Sequence, residues 1–230
     1  MNSLHTEKRQ ELIDRINREK GGEVVPTLLQ LVAENPGDAP LMELVAHTLR
    51  QMTPSPWGIV RRVAKEKLEY FRDFPEEWSA GGWPETFLMI ADLLGDVGDE
   101  KDSPFLLHLM EMYDEERAQL IMIESLCKLG HGEPFLDLLE YYLYEDLDRE
   151  VLCDQVFLCL AHVNANRARK FLVASADFAW LTPENRQLLR EAIFHQLAHF
   201  PDAKKSWEND PAARSLLDSL QNEQEEGSIE

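Results

Sequence analysis

What this 230-residue sequence lacks narrows its class before any motif is weighed. No apolar run approaches the roughly 20 residues that a membrane-crossing helix needs, so no span is expected. Strand-type runs of Val, Ile and Thr are scarce, and no stretch alternates polar with apolar residues long enough to build a sheet. Cysteines number only three: Cys127, Cys153 and Cys159. An odd count without zinc-type spacing, set in apolar stretches, reads as buried free thiols in a reducing compartment. Basic residues are also short, 23 against 43 acids, for a formal net charge of −20. That balance repels nucleic-acid backbones and anionic membranes and leaves a protein with a basic surface as the fitting partner. The opening residues, Met1-Asn-Ser-Leu-His-Thr-Glu-Lys-Arg9, are too polar for a secretory signal, so a soluble cytoplasmic protein is expected.

Helix-favouring residues dominate, and hydrophobic residues at 44% suffice for a sizeable core. An internal repeat is visible. Leu94-Gly-Asp-Val-Gly98 precedes a segment with Pro104-Phe-Leu-Leu; 32 residues on, Leu126-Cys-Lys-Leu-Gly130 precedes Pro134-Phe-Leu-Asp-Leu-Leu. Another 32 residues on stands Leu158-Cys-Leu-Ala-His162, and Leu-Ala-His recurs at 197–199 after a longer interval of 37.

Each unit reads as two helices. Pro104 and Pro134 suit a first helical turn, where a missing amide hydrogen costs nothing. Phe105, Leu106 and Leu109, and then Phe135, Leu136 and Leu139, follow at helical spacing. Acidic turns interrupt at Asp114-Glu-Glu-Arg117 and Glu145-Asp-Leu-Asp-Arg149, and a more apolar helix follows each, over Ala118 to Leu129 and Val151 to Ala161. Gly130 suits a left-handed C-terminal position. Neither helix buries its apolar face alone, so the expected architecture is all-α: an α-solenoid of stacked antiparallel helix pairs.

Leu94-Gly-Asp-Val-Gly-Asp99 and Glu124-Ser-Leu-Cys-Lys-Leu-Gly130 resemble the Glu-Ala-Leu-Gly-x-Ile-Gly-Asp signature of HEAT-like repeats of the phycobilisome-lyase type. The resemblance is clear over residues 85–163. The Val-Arg opening of the second helix in that family is kept only loosely, as Arg117-Ala118 and Arg149-Glu-Val151.

Residues 1–84 read as an N-terminal helical capping region. It holds Leu4 to Glu19, a pair over Glu23 to Ala33 and Pro40 to Met52, and a helix over Trp57 to Phe71. The turn Asn35-Pro-Gly-Asp38 also resembles a tetratricopeptide junction. An irregular Trp/Gly/Pro insertion runs from Phe74 to Pro84. Residues 164–221 supply a last pair, Arg167 to Ala176 and Pro183 to Phe200, and a closing helix from Pro211 to Leu220. Residues 222–230 form an acidic tail expected to be disordered.

Charge is unevenly spread. From Asp99 to Asp154 sixteen acids face four bases, whereas Arg50 to Arg72 holds six bases against two acids. Acidic turns of successive repeats fall on one edge of a regular solenoid, which sets Asp114, Glu115 and Glu116 beside Glu145, Asp146 and Asp148. Such a ridge steers a basic partner. Tyr141, Tyr142 and Tyr144 lie beside it, and Trp78 and Trp83 lie in the insertion. Aromatic side chains suit interface anchors and cores equally, and burial is expected for at least one tyrosine. Arg61, Arg62 and Lys65 form a secondary basic patch, for intramolecular pairing or for a phosphate.

Enzyme readings find less support. His195-Gln-Leu-Ala-His199 puts two imidazoles on one helix face, but Gln196 stands where a zinc protease has its glutamate base, and no third ligand is nearby in sequence. HEAT-like deoxyhypusine hydroxylases use paired His-Glu dipeptides, which this chain lacks; HEAT-like alkylpurine DNA glycosylases need a basic groove; no residue marks a bilin site. Phosphate-binding glycine loops and a Gly-x-Ser-x-Gly elbow are absent. No metal or cofactor is expected. The leading expectation is a non-catalytic module that binds a basic protein through an acidic solenoid surface, as an assembly adaptor or a toxin-neutralising immunity or anti-defence protein. The alternative is an enzyme with a lyase-type or metal-dependent site in the concave groove.

Overall fold

A computed structural model describes residues 24–209, 211 and 213–216. The expected helix Leu4 to Glu19, the tail and half of the closing helix lie outside the described residues. Among the described residues every regular element is helical, and no helix is long and apolar enough to cross a membrane. The chain divides into two compact units that meet between Gly98 and Asp99, inside the 85–163 segment. Each is described by itself.

The first unit holds α1 (Val24–Ala33), α2 (Ala39–Gln51), α3 (Trp57–Asp73) and α4 (Trp83–Val97). Asp38 caps α2 by accepting from the Leu41 amide at 3.2 Å, just ahead of Pro40 in the first turn. Helix α1 packs on α2, α3 and α4 and is apolar nearly all round. Val25, Leu28 and Leu29 are fully buried, and each contributes about 1.5–3 kcal/mol by leaving water. The insertion after α3 is partly ordered as a 3-10 turn, Pro75–Ala80. Both of its tryptophans pack against rings of the same unit. Trp78 stacks on Phe87 at 5.7 Å and meets the edge of Phe71 at 5.5 Å, while Trp83 is buried at the start of α4.

The second unit runs through α5 (Ser103–Met110), α6 (Glu116–Lys128), α7 (Leu136–Tyr144), α8 (Arg149–Ala161), α9 (Asn166–Ser175), α10 (Pro183–His199) and α11 (Pro201–Asn209). Sequence neighbours pack as pairs, α5 with α6, α7 with α8 and α9 with α10. In addition α6 packs on α8, and α8 on α10. One apolar cluster joins them through Leu120, Ile123, Val156, Phe157, Leu160 and Ile193. The recurring Leu-containing motifs all fall in the last turns of α4, α6, α8 and α10.

Local signals explain the boundaries. Gly130 has φ +85°, and its amide and that of His131 return to the Cys127 and Leu126 carbonyls at 2.9 and 2.8 Å, closing α6. Pro134 differs from expectation: it lies in a 3-10 turn, Glu133–Phe135, and α7 begins only at Leu136. The Phe135 amide bonds back three residues, to Gly132 at 3.0 Å, which is the tighter winding. Val151 also differs. Because α8 begins at Arg149, Val151 faces outward while Leu152, Cys153 and Val156 face the core.

Candidate functional site

Two turns build the acidic edge. Between α5 and α6, Tyr113 is buried and its carbonyl accepts from Gln119 Nε2 at 2.7 Å, which pins the approach to Glu116. Between α7 and α8, the Glu145 and Asp146 amides both donate to the Tyr141 carbonyl, at 2.9 and 3.1 Å. Asp146 Oδ1 then accepts from the Asp148 amide at 2.7 Å, an Asx turn. The Asp148 carbonyl receives the Val151 and Leu152 amides and starts α8, but its side chain makes no capping bond.

Arg117 clamps the start of α6 to α8. Its Nη1 donates to the Val151 carbonyl at 3.1 Å and its Nη2 to Asp154 Oδ2 at 2.7 Å. The adjacent Glu116 is thereby held against the next turn, and carboxylate oxygens of Glu116, Asp146 and Asp148 lie within 4.8 Å of one another. Two like charges at such separation cost about 1 kcal/mol in water and more where water is partly excluded. The strain shows in Glu116: partial desolvation, then the charges of Asp146 and Asp148, push its carboxyl above the usual range. Such a cluster favours an incoming cation, whether an ammonium, a guanidinium or a hard divalent ion.

The remaining expected residues divide. Asp114, Glu115, Glu145 and Asp148 are exposed, whereas Asp146 is only 7% exposed and is committed to its turn. Tyr141 is exposed, and its hydroxyl, held up chiefly by the charge of Asp146, bonds to that carboxylate. Tyr142 is buried, with its hydroxyl pushed up to about 12 by desolvation. Tyr144 is half-buried, edge-on to Phe178 at 5.3 Å and to Phe171 at 6.3 Å, so it belongs to the packing. Two residues that sequence reasoning passed over stand on the same edge: Leu147, 99% exposed, and Val151, 62% exposed. A leucine between two aspartates in a turn was the available signal.

No family model, curated protein or solved structure matches the chain. The site is therefore read from its own chemistry.

The basic stretch in the first unit is largely answered from within. Arg50 pairs with Asp96 at 2.6 Å and with Asp92 at 3.4 Å; Arg62 stands 3.9 Å from Glu66. Arg61 is half-buried and Lys65 exposed. Arg62, Glu66 and Lys67 line a groove of about 500 Å³ with Gln30, Leu31 and Trp83, where Lys67 Nζ lies 5.0 Å above the indole. Its mixed charge selects no single ligand. In the second unit His195 stacks on His199 at 4.0 Å between ring centres, and His162 meets it at 4.3 Å. His162 is 33 residues from His195 in sequence, and only the packing of α8 on α10 brings it there.

Proposed function

We propose that this chain is a HEAT-like repeat protein whose helix pairs stack as a solenoid, and that it is a non-catalytic module binding a protein with a basic surface. The packing of α6 on α8 and of α8 on α10, with the recurring motif at the end of each, supports stacked repeats. One observation carries the functional reading: Glu116 and Asp148, from turns about 30 residues apart, converge with Asp146 on one edge, beside the exposed ring of Tyr141. An uncompensated cluster of this kind steers a cationic surface and lowers its own repulsion by accepting it.

The test is affinity capture from host lysate at low and high salt, with the chain itself and with Glu115→Lys/Glu116→Lys/Asp148→Lys. Asp146 stays unchanged because it holds the turn. The expected result is a partner whose retention falls with salt and is lost with the charge-reversed chain. Retention unaffected by reversal sinks the proposal.

A further inference from the structure

We infer that Leu147 is the anchor of the acidic edge and that the edge receives a basic amphipathic helix of a partner protein; this rests on the acidic-edge reading above. Single exposed apolar side chains are ordinary on protein surfaces. This grouping is not a scatter. Tyr141, Leu147 and Val151 are 44%, 99% and 62% exposed, and they follow one another along one short stretch, in the last turn of α7, the α7–α8 turn and the first turn of α8. Elsewhere among the described residues Tyr70, Phe74, Val97 and Leu107 are exposed at 38–45%, below Leu147 and Val151, and Tyr70 and Phe74 lie against each other with ring centres 5.0 Å apart.

The turn that carries Leu147 is built rather than slack. Asp146 bridges it through the Asp148 amide, and Arg117 ties the carbonyl of Val151 to the start of α6. With the backbone of the turn set in advance, only the side-chain freedom of Leu147 is lost when a partner covers it, which favours an interface anchor. Its surroundings state the chemistry of the cover. Glu116, Glu145, Asp148 and Glu150 border the apolar centre, so the occupant needs a greasy strip flanked by cations. A helix with leucine-type residues at i and i+4 and Lys or Arg on either side supplies both within two turns. Lipid and nucleic-acid phosphates are repelled by the same carboxylates, and a second copy of this chain would bring the same charge to the contact.

The experiment uses two synthetic helical peptides of about 18 residues, one with a leucine stripe flanked by lysines, the other with the same lysines and glutamines for the leucines. Fluorescence anisotropy at low salt measures their binding to the full chain and to Leu147→Ser and Val151→Ser, with circular dichroism confirming the fold. The leucine peptide is expected to bind at least tenfold tighter than its control, and Leu147→Ser to remove that advantage, because covering one leucine is worth at least a factor of ten. Equal binding of both peptides with no response to Leu147→Ser overturns the anchor and leaves the acidic edge standing. Failure of both peptides to bind overturns both. A free chain that is dimeric in sedimentation and becomes monomeric with Leu147→Ser also overturns the inference, since the occupant is then a second copy.

Discussion

Gln196 of α10 reaches the end of α8, where its side-chain amide donates to the Leu160 carbonyl at 2.6 Å and to the Val163 carbonyl at 2.8 Å. The last carbonyls of a helix have no partner inside it; Leu160 receives the Val163 amide at 3.2 Å, and α10 supplies a second donor. The contact explains a feature that looked like chemistry. In His195-Gln-Leu-Ala-His199 the glutamine sits where a zinc protease carries its base, yet it is fully buried and its amide nitrogen joins α10 to the end of α8.

Replacing Gln196 should therefore unfold the protein more easily rather than alter a reaction. Gln196→Leu takes one of two donors from each carbonyl, since Leu160 keeps the Val163 amide and Val163 keeps the Ala165 amide, and a loss of about 1–2 kcal/mol is expected. Gln196→Glu, which completes the protease-like motif, should be worse, because a carboxylate would face two carbonyl oxygens. Urea unfolding measures both. A glutamate variant as stable as the parent contradicts the capping role.

Gly132 offers a second test, of packing. A Cβ built there would stand 2.5 Å from Cys127 Sγ and 2.5 Å from Val163 Cγ2, so the α6–α7 turn passes too close to the core for any side chain. Gly132→Ala is expected to cost about 1–3 kcal/mol through overpacking. Val163→Ala in the same chain should return part of that loss, a non-additivity that a double-mutant cycle reads directly.

Local features of the fold were legible in the sequence, and contacts such as that of Gln196 were not. Helix pairs, the start of α2 near Pro40 and the left-handed end of α6 at Gly130 follow from local rules that a short window contains. Of the acids expected side by side, Glu116, Asp146 and Asp148 lie within 4.8 Å of one another, where α6 packs on α8. The fates of Trp78, Trp83, Tyr144 and Asp146 were not. Whether an aromatic or a carboxylate is covered depends on neighbours such as Phe87 or Phe178, tens of residues away in the chain. Leu147 and Val151 were hidden for the opposite reason: apolar residues are assumed inward until the helix start is fixed. His162 and Gln196 needed the register of α8 on α10, which no single motif encodes.

The three cysteines should behave as inert core. All are buried; desolvation raises the Cys153 thiol to about 11, and burial together with the neighbouring Cys127 raises Cys159. The nucleophile is the thiolate, so little of it exists at pH 8. A chromogenic disulfide reagent is expected to find no reactive thiol in the native protein and three equivalents in denaturant. Labelling of the native chain should proceed only at the rate of global unfolding. A fast-reacting equivalent would instead mark an accessible, activated cysteine.

The histidine row gives the pH dependence. Burial, then His199 and then Lys128, hold the His195 imidazole below its ordinary 6.5. It faces His162 and His199, and Lys128 nearby is paired with Glu124 at 2.9 Å, so a proton added to His195 meets no free carboxylate among these neighbours. A depressed value in the folded chain means that the unfolded chain binds the proton first. Stability from this group is therefore complete above about pH 6.5 and is lost as the pH falls through the lower folded value. Thermal unfolding between about pH 7.5 and 5.5 should show the midpoint dropping for the natural chain and dropping less for His195→Gln. The window ends above the range in which most carboxylates begin to titrate, so their contribution stays nearly constant. Parallel curves for the two proteins would mean that His195 titrates alike in both states, and the stacked imidazoles would then carry no electrostatic cost.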